Sequence, residues 1–344
     1  MRYKLLIFVI AGWCVIFTEA ISQHRVVLQS QGTATVFATA SSFIDAYNAA
    51  ADGDTIYLPG LEYAAPNPFN KRLVVYGTGH DPVVTSATGR TIITTGSSSI
   101  VFDPGASGSH LEGMYIAKPV AFRTSNKVDN VTFKRVHING SISISGTNVD
   151  NRCNNILVTE SIFQGLNAQN APGIKVFNSF STVGLQNLNE NSCIANNIIV
   201  DYFYPVSYAL QSHFENNIFV VNVSTTSFTG VYSSNGNTFN NNIFNRNPTS
   251  QENNTWSGNY TDVDLSGLFV DYLFPFSYVA DYHLQNPGAY TGTTGNESGL
   301  FGGLNPYKEN ALPVTPHILE HTIATSADES GNLQINVSVQ AQDK

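Results

Sequence analysis

The chain has 344 residues with Lys+Arg 16 against Asp+Glu 25, a formal net charge of −9, and charged residues make up only 12% of it. A nucleic-acid binder would need a dense basic footprint, so that class is excluded. At 42% apolar residues the chain is also not a disordered acidic polymer.

In chain order, the first feature is a targeting segment over residues 1–20. Arg2 and Lys4 open it, Leu5 to Phe17 is apolar, and Thr18-Glu19-Ala20 offers small residues for cleavage after Ala20. The apolar run is too short to span a bilayer comfortably, so the pattern reads as a secretory signal peptide. No membrane span is expected after its removal. Cys153 and Cys193 then remain. They lie two repeat steps apart at unequal offsets, which favours two buried free thiols over a disulfide. Their spacing fits no metal site.

Residues 21–40 predict a first strand. Phe43, Ile44, Tyr47 and Ala50 form one apolar face at helical spacing, and Ser42 with Asp45 resembles a capping box. This short helix suits a lid on the open end of a stacked fold. Thr55 to Gly60 is a strand with a hard stop. Leu73–Tyr76, Thr91–Thr94 and Ile100–Phe102 follow as short strands.

From Leu111 a repeat can be tracked. Its anchors are Leu111, Phe133, Val158, Val176, Ile194, Phe214, Phe239 and, more weakly, Asp264, in steps of roughly 18 to 25 residues without intervening helices. Strands and turns alone at that spacing predict a parallel β-helix. Asn197, Asn217 and Asn242 stand three residues after their anchors. Asparagine tolerates the left-handed conformation of a tight turn, and stacked amides can bond from coil to coil. Val136, Ser161 and Ser179 hold the same place earlier, so the ladder should be strongest in the second half.

The Asn-Asn-Ile-Phe rungs, the lid helix with Gly53-Asp54-Thr55-Ile56-Tyr57-Leu58-Pro59-Gly60, and the exit Asp281-Tyr282-His283-Leu284-Gln285 together resemble the secreted bacterial right-handed parallel β-helix proteins of the pectin-lyase-like superfamily. The resemblance covers about residues 30–310 and matches no specific enzyme family. It implies an all-β right-handed solenoid over residues 21–311 and a polysaccharide or cell-surface glycan as partner outside the cytoplasm: secreted, periplasmic or surface-bound. The fold hosts many activities, so function must be argued from sites. Residues 312–344 alternate in polarity around Asp328–Asn332 and predict a β-hairpin that caps the last coil or pairs with an outer sheet.

Three site readings follow. Lys118, Arg123, Lys127, Lys134, Arg135, Arg152 and Lys175 crowd the early coils. If the protein is an acidic-glycan lyase, Lys134, Arg135 and Lys175 supply the base and the cation that neutralises a uronate, and calcium enters only under this reading. No cofactor is otherwise expected. A glycoside hydrolase fits less well, because no aspartate pair occurs and Thr78-Gly79-His80 and Gly173-Ile174-Lys175 are incomplete versions of the hydrolase segments. Third, the segment from Asn197 to Tyr208 matches that from Gly267 to Tyr278. Asp201, Tyr202 and Tyr204 of one copy and Asp271, Tyr272 and Phe274 of the other are candidate glycan contacts. Both copies sit at the same offset after their anchors, three coils apart, which places them about 15 Å apart along the axis. His137, His213 and His283 read as isolated. The rival class is a non-catalytic, adhesin-like surface rod. Oligomeric state is not legible from the sequence.

Overall fold

The computed structural model describes residues 25–123, 127–144, 149–223, 230–248, 253–309 and 312–341. The expected signal peptide lies outside them. The chain forms a parallel β-solenoid of about eight turns. One column runs through the first sheet: Ile56, Val75, Leu111, Phe133, Val158, Val176, Ile194, Phe214, Phe239 and Trp256 stand in register on successive strands. All but Trp256, which is partly buried, are buried and form the core. Its far end is a stack of flat rings: Phe214 on Phe239 at 4.6 Å and Phe239 on Trp256 at 4.3 Å. Offset stacking adds to the burial of such rings.

Every expected anchor from Leu111 to Phe239 is in this column. Asp264 is not. The last rung is Trp256, and Asp264 instead caps the short 3₁₀ helix Leu265–Gly267 by accepting from Ser266 N.

The two asparagines of each rung divide the work expected of one. The second, at Asn197, Asn217 and Asn242, points inward and builds the ladder. Asn197 Nδ2 donates to Asn217 Oδ1 at 2.9 Å, Asn217 Nδ2 to Asn242 Oδ1 at 3.0 Å, and Asn242 Nδ2 to Asn259 Oδ1 at 3.0 Å. Ser179 N donates to Asn197 Oδ1 and Ser161 N to Ser179 Oγ, so a serine hydroxyl takes the amide's place in the early rungs. The left-handed residue is the one before. Gly113, Arg135, Glu160, Asn178, Asn196, Asn216, Asn241 and Gly258 all have positive φ and form one corner column.

That corner is a seam for the C-terminal part of the chain. Asn178 Nδ2 donates to the carbonyls of Leu300 and Gly302 at 3.0 and 2.8 Å. Asn216 Nδ2 bonds the Thr293 hydroxyl at 3.1 Å. A Cβ on Gly113 would lie 2.9 Å from Pro313, so the glycine admits the chain there. Residues 265–307 thus leave the solenoid and cross the outside of a second sheet. They cover Ile162, Phe180, Ile198, Ile218 and Ile243 with Leu268, Phe269, Tyr282, Leu284 and Leu300, an apolar layer separate from the solenoid core.

The lid helix spans Ser42–Ala49 and buries Phe43, Ala46 and Tyr47. Its expected capping box does not form. Ser41 is the N-cap without a side-chain bond, and Asp45 accepts from the Thr39 hydroxyl. Strand Val26–Ser30 pairs antiparallel with both Thr33–Phe37 and Thr55–Tyr57. The C-terminal hairpin forms, His317–Ile323 against Ile335–Gln340. It neither caps a coil nor joins an outer sheet, because these two strands make a sheet of their own and only His317 of them is buried. Both cysteines are free. Cys153 is buried, while Cys193 is only partly so.

Candidate functional site

The feature that departs most from core logic is a surface of aromatic rings around residues 202–208. Asp201 builds the turn that presents them. Its Oδ1 accepts from Phe203 N at 2.7 Å and Tyr204 N at 3.0 Å. Partial burial pushes the Asp201 carboxyl above its ordinary range, against the pull of those two N–H groups. Held by this turn, Tyr202 and Phe203 face solvent, 56% and 48% exposed. Tyr208 has a left-handed backbone, φ 56, a conformation a bulky side chain rarely adopts, and it too stands exposed. Strand Val206–Ser207 pairs with Val231–Tyr232, which sets Tyr232 beside both neighbours. Tyr204 stacks on Tyr232 at 4.5 Å and 25°, and Tyr208 meets the same ring edge-on at 5.6 Å.

The internal copy contributes one ring. The segment from Gly267 to Tyr278 is not a coil equivalent to that from Asn197 to Tyr208. It belongs to the excursion outside the solenoid, so the copies are not spaced along the axis. Instead they touch: Tyr202 meets Phe274 edge-on at 5.8 Å. Tyr272 turns inward, stacked on Phe269 at 5.0 Å, with its hydroxyl unpartnered. Asp271 is exposed and its backbone N–H donates to Asp281 O. The expected contacts therefore converge as Tyr202, Tyr204 and Phe274, with Asp201 as scaffold. Phe203, Tyr208 and Tyr232 were missed. Tyr208 ends the repeated segment and could have been noticed; Tyr232 carries no motif.

The basic cluster is largely neutralised. Arg135 is fully buried, with Nε 2.8 Å from Glu160 and Nη1 donating to Leu312 O at 3.1 Å. Nη1 also lies 3.6 Å from Glu112. His110 Nε2 is 2.8 Å from the same Glu112. Burial works to raise the Glu112 carboxyl, but the His110 hydrogen bond, Lys134 and Val314 N–H outweigh it and hold it below the ordinary value. Lys134 faces outward, 3.7 Å from Glu160. Arg123, Lys127 and Arg152 pair with Asp103, Asp129 and Glu190. Lys175 is exposed, two strands from Lys134 and in a different row: Lys134 aligns with Thr159 and Lys175 with Leu157. The geometry makes Arg135 the tie between two coils and the C-terminal segment.

His137 is not isolated. Its Nδ1 and that of His80 both lie at the Tyr278 hydroxyl, the latter at 3.0 Å. A phenol has one proton to give, and the His80 carbonyl, which accepts from the Tyr278 hydroxyl at 3.3 Å, competes for it with the two rings. Burial drives both imidazoles down, His80 with help from His137 and Arg90, and His137 to about 4. Burial likewise pushes the Tyr278 hydroxyl up. This neutral triad fastens the excursion to the early coils. Sequence spacing gave no signal for a contact between His80 and Tyr278.

His213 pairs with Glu215 at 3.0 Å, and His283 with Asp281 at 2.8 Å. Among the described residues no group of three or more His, Cys, Asp or Glu side chains is placed to hold a metal ion, and no helix is long and apolar enough to cross a membrane. Compared with protein-family models, with curated proteins and with solved structures, the chain matches none.

Proposed function

We propose that the protein is an exported β-solenoid that binds a polysaccharide through the aromatic surface of Tyr202, Phe203, Tyr204, Tyr208, Tyr232 and Phe274, and that the fold relates it to the right-handed helices of the pectin-lyase-like superfamily. The observation that carries this reading is the exposure of Tyr202, Phe203, Tyr208 and Tyr232, which belong to neither apolar core. Exposed apolar patches of this kind mark interaction sites. The apolar C–H face of a sugar ring lies well on an aromatic face, and tyrosine adds a hydroxyl for the sugar's own.

Binding without bond cleavage suits the geometry better than a lyase. Arg135 is withdrawn from solvent and tied to two carboxylates, while Lys134 and Lys175 stand in separate rows. A glycan array probed with the purified protein tests the proposal. Signal on at least one polysaccharide class, weakened by Tyr202→Ala or Tyr232→Ala, supports it. Silence across the array favours the rival, a rod whose stiffness is its function. Release of unsaturated uronate, abolished by Lys134→Ala or Lys175→Ala, would establish the lyase instead.

A further inference from the structure

The C-terminal hairpin carries an apolar face that the rest of the chain leaves uncovered. Its register sets Ile318 opposite Val339, His321 opposite Val337 and Ile323 opposite Ile335. Residues directly opposite one another share a face, as do alternate residues along a strand. Ile318, Ile323, Ile335, Val337 and Val339 therefore stand together, with His321 as the polar side chain among them. Glu320, Thr322, Asn336 and Ser338 occupy the other face. The five aliphatic residues are 36% to 59% exposed.

A two-stranded hairpin is marginal in water by itself, and a sheet with one apolar face is stabilised by burying that face on another element. Among the described residues none supplies that element: the two strands pair with each other and with no third. The root of the hairpin is nevertheless fixed. Arg135 holds Leu312 O at 3.1 Å, and Glu112 accepts from Val314 N at 3.1 Å. Pro313 and Pro316 stiffen the connection between them and His317. The face is thus presented from a firm mount, and little freedom is lost when it is covered.

Composition, charge and area together say what covers it. The face is aliphatic, like a domain core cut in half, which is the character of interfaces between identical subunits. It lacks the Trp, Tyr and Arg anchors that dominate binding hot spots. The chain carries a net charge of −9, so most approaches of two copies are opposed, but this face holds no carboxylate. Its half-exposed side chains match the few hundred Å² at which a patch marks an interface, and with the flanking strand atoms they approach the roughly 800 Å² per partner of a stable complex. We infer that the apolar hairpin face is covered by the same face of a second copy of this chain. The contact is isologous, two hairpins stacked about 10 Å apart as a small two-layer sheet. It is separate from the exposed rings around Tyr232, and either can hold if the other does not.

Sedimentation velocity of the purified chain over a concentration series should show a monomer–dimer equilibrium that stops at two copies. Val337→Lys sets an ammonium group in the middle of the face, where the second copy would bury it, and should raise the dimer dissociation constant by about tenfold or more. Asn336→Lys, one residue away on the polar face, should leave that constant unchanged, and so should Tyr232→Ala. Methyl NMR on a mixture of two differently labelled samples of the unaltered chain should give contacts between hairpin isoleucines of different copies, so a variant that misfolds does not obscure the result. A monomer at every concentration would overturn the inference, whether or not that monomer binds phosphatidylcholine vesicles or another protein. A dimer that survives Val337→Lys, or that Asn336→Lys breaks as readily, would overturn it too. So would growth past two copies, the mark of edge-to-edge pairing by the open strands.

Discussion

Tyr204 lies nearly parallel to Tyr232, 4.5 Å between ring centroids, and Tyr232 is 39% exposed. The pair is held by a strand pairing behind it and by the Asp201 turn beside it, so its rings are ordered before any ligand arrives. Preorganised aromatics lose little conformational freedom on binding. Replacing Tyr232 with alanine should therefore cost about 1 kcal/mol of glycan affinity, roughly a fivefold rise in Kd. It should leave the melting temperature nearly unchanged. Calorimetry and a thermal melt on the same variant check both halves.

The inward asparagines predict a contrast between neighbours. Asn217 Nδ2 donates to Ile194 O and to Asn242, and its Oδ1 accepts from Asn197 N. Asn217→Ala would strand several buried groups and should cost about 3 kcal/mol. Asn216 has φ 55 and a side chain turned to Thr293. Asn216→Gly keeps the backbone unstrained and should cost clearly less. Urea denaturation of the two variants ranks them.

Most of the solenoid was legible because its period writes itself into the sequence. Leu111 through Phe239 fall in one column since each must fill the same slot on the next coil. Asp264 misled because the register continued in spacing after the solenoid had ended at Trp256. The two-asparagine motif showed that a corner exists but not which residue takes the left-handed turn. The candidate surface was half legible: Tyr202, Tyr204 and Phe274 belong to a repeated segment, whereas Tyr232 reaches it only through coil stacking. Contacts made by the excursion, such as His80 with Tyr278, leave no local pattern and could not be read in advance.

The left-handed corner makes a second claim about Arg135. A non-glycine residue there costs about 1–2 kcal/mol, and Arg135 and Glu160 both occupy it while bonding one another. Arg135→Met should leave Glu112 and Glu160 buried with too little positive charge. Breaking a buried pair this way costs about 3–5 kcal/mol. It also releases Leu312 O, so limited proteolysis should cut near residue 312 sooner in the variant than in the parent.

The His80–Tyr278–His137 triad sets the acid response. Both histidines have depressed pKa values in the folded chain, so in weak acid the unfolded chain binds more protons and stability rises with pH. The contribution is full above the unfolded value of about 6.5. It is lost as pH falls, for His137 down to about 4. Arg90, Tyr115, Phe276 and Tyr278 surround the His137 ring, and none of them supplies an anion to hold a proton. The melting temperature should drop between pH 6.5 and 4.5, and His137→Gln should flatten that slope. An unaltered slope in the variant would assign the acid response elsewhere.

The central claim is that the exposed rings form a polysaccharide-binding surface. The most direct measurement is a binding isotherm of the parent chain and the Tyr202→Ala/Tyr232→Ala double variant on the strongest glycan from an array, with circular dichroism confirming the fold of both. The account predicts saturable binding by the parent and at least a tenfold loss, about 1.4 kcal/mol, in the variant. Equal affinity of a correctly folded variant would contradict it.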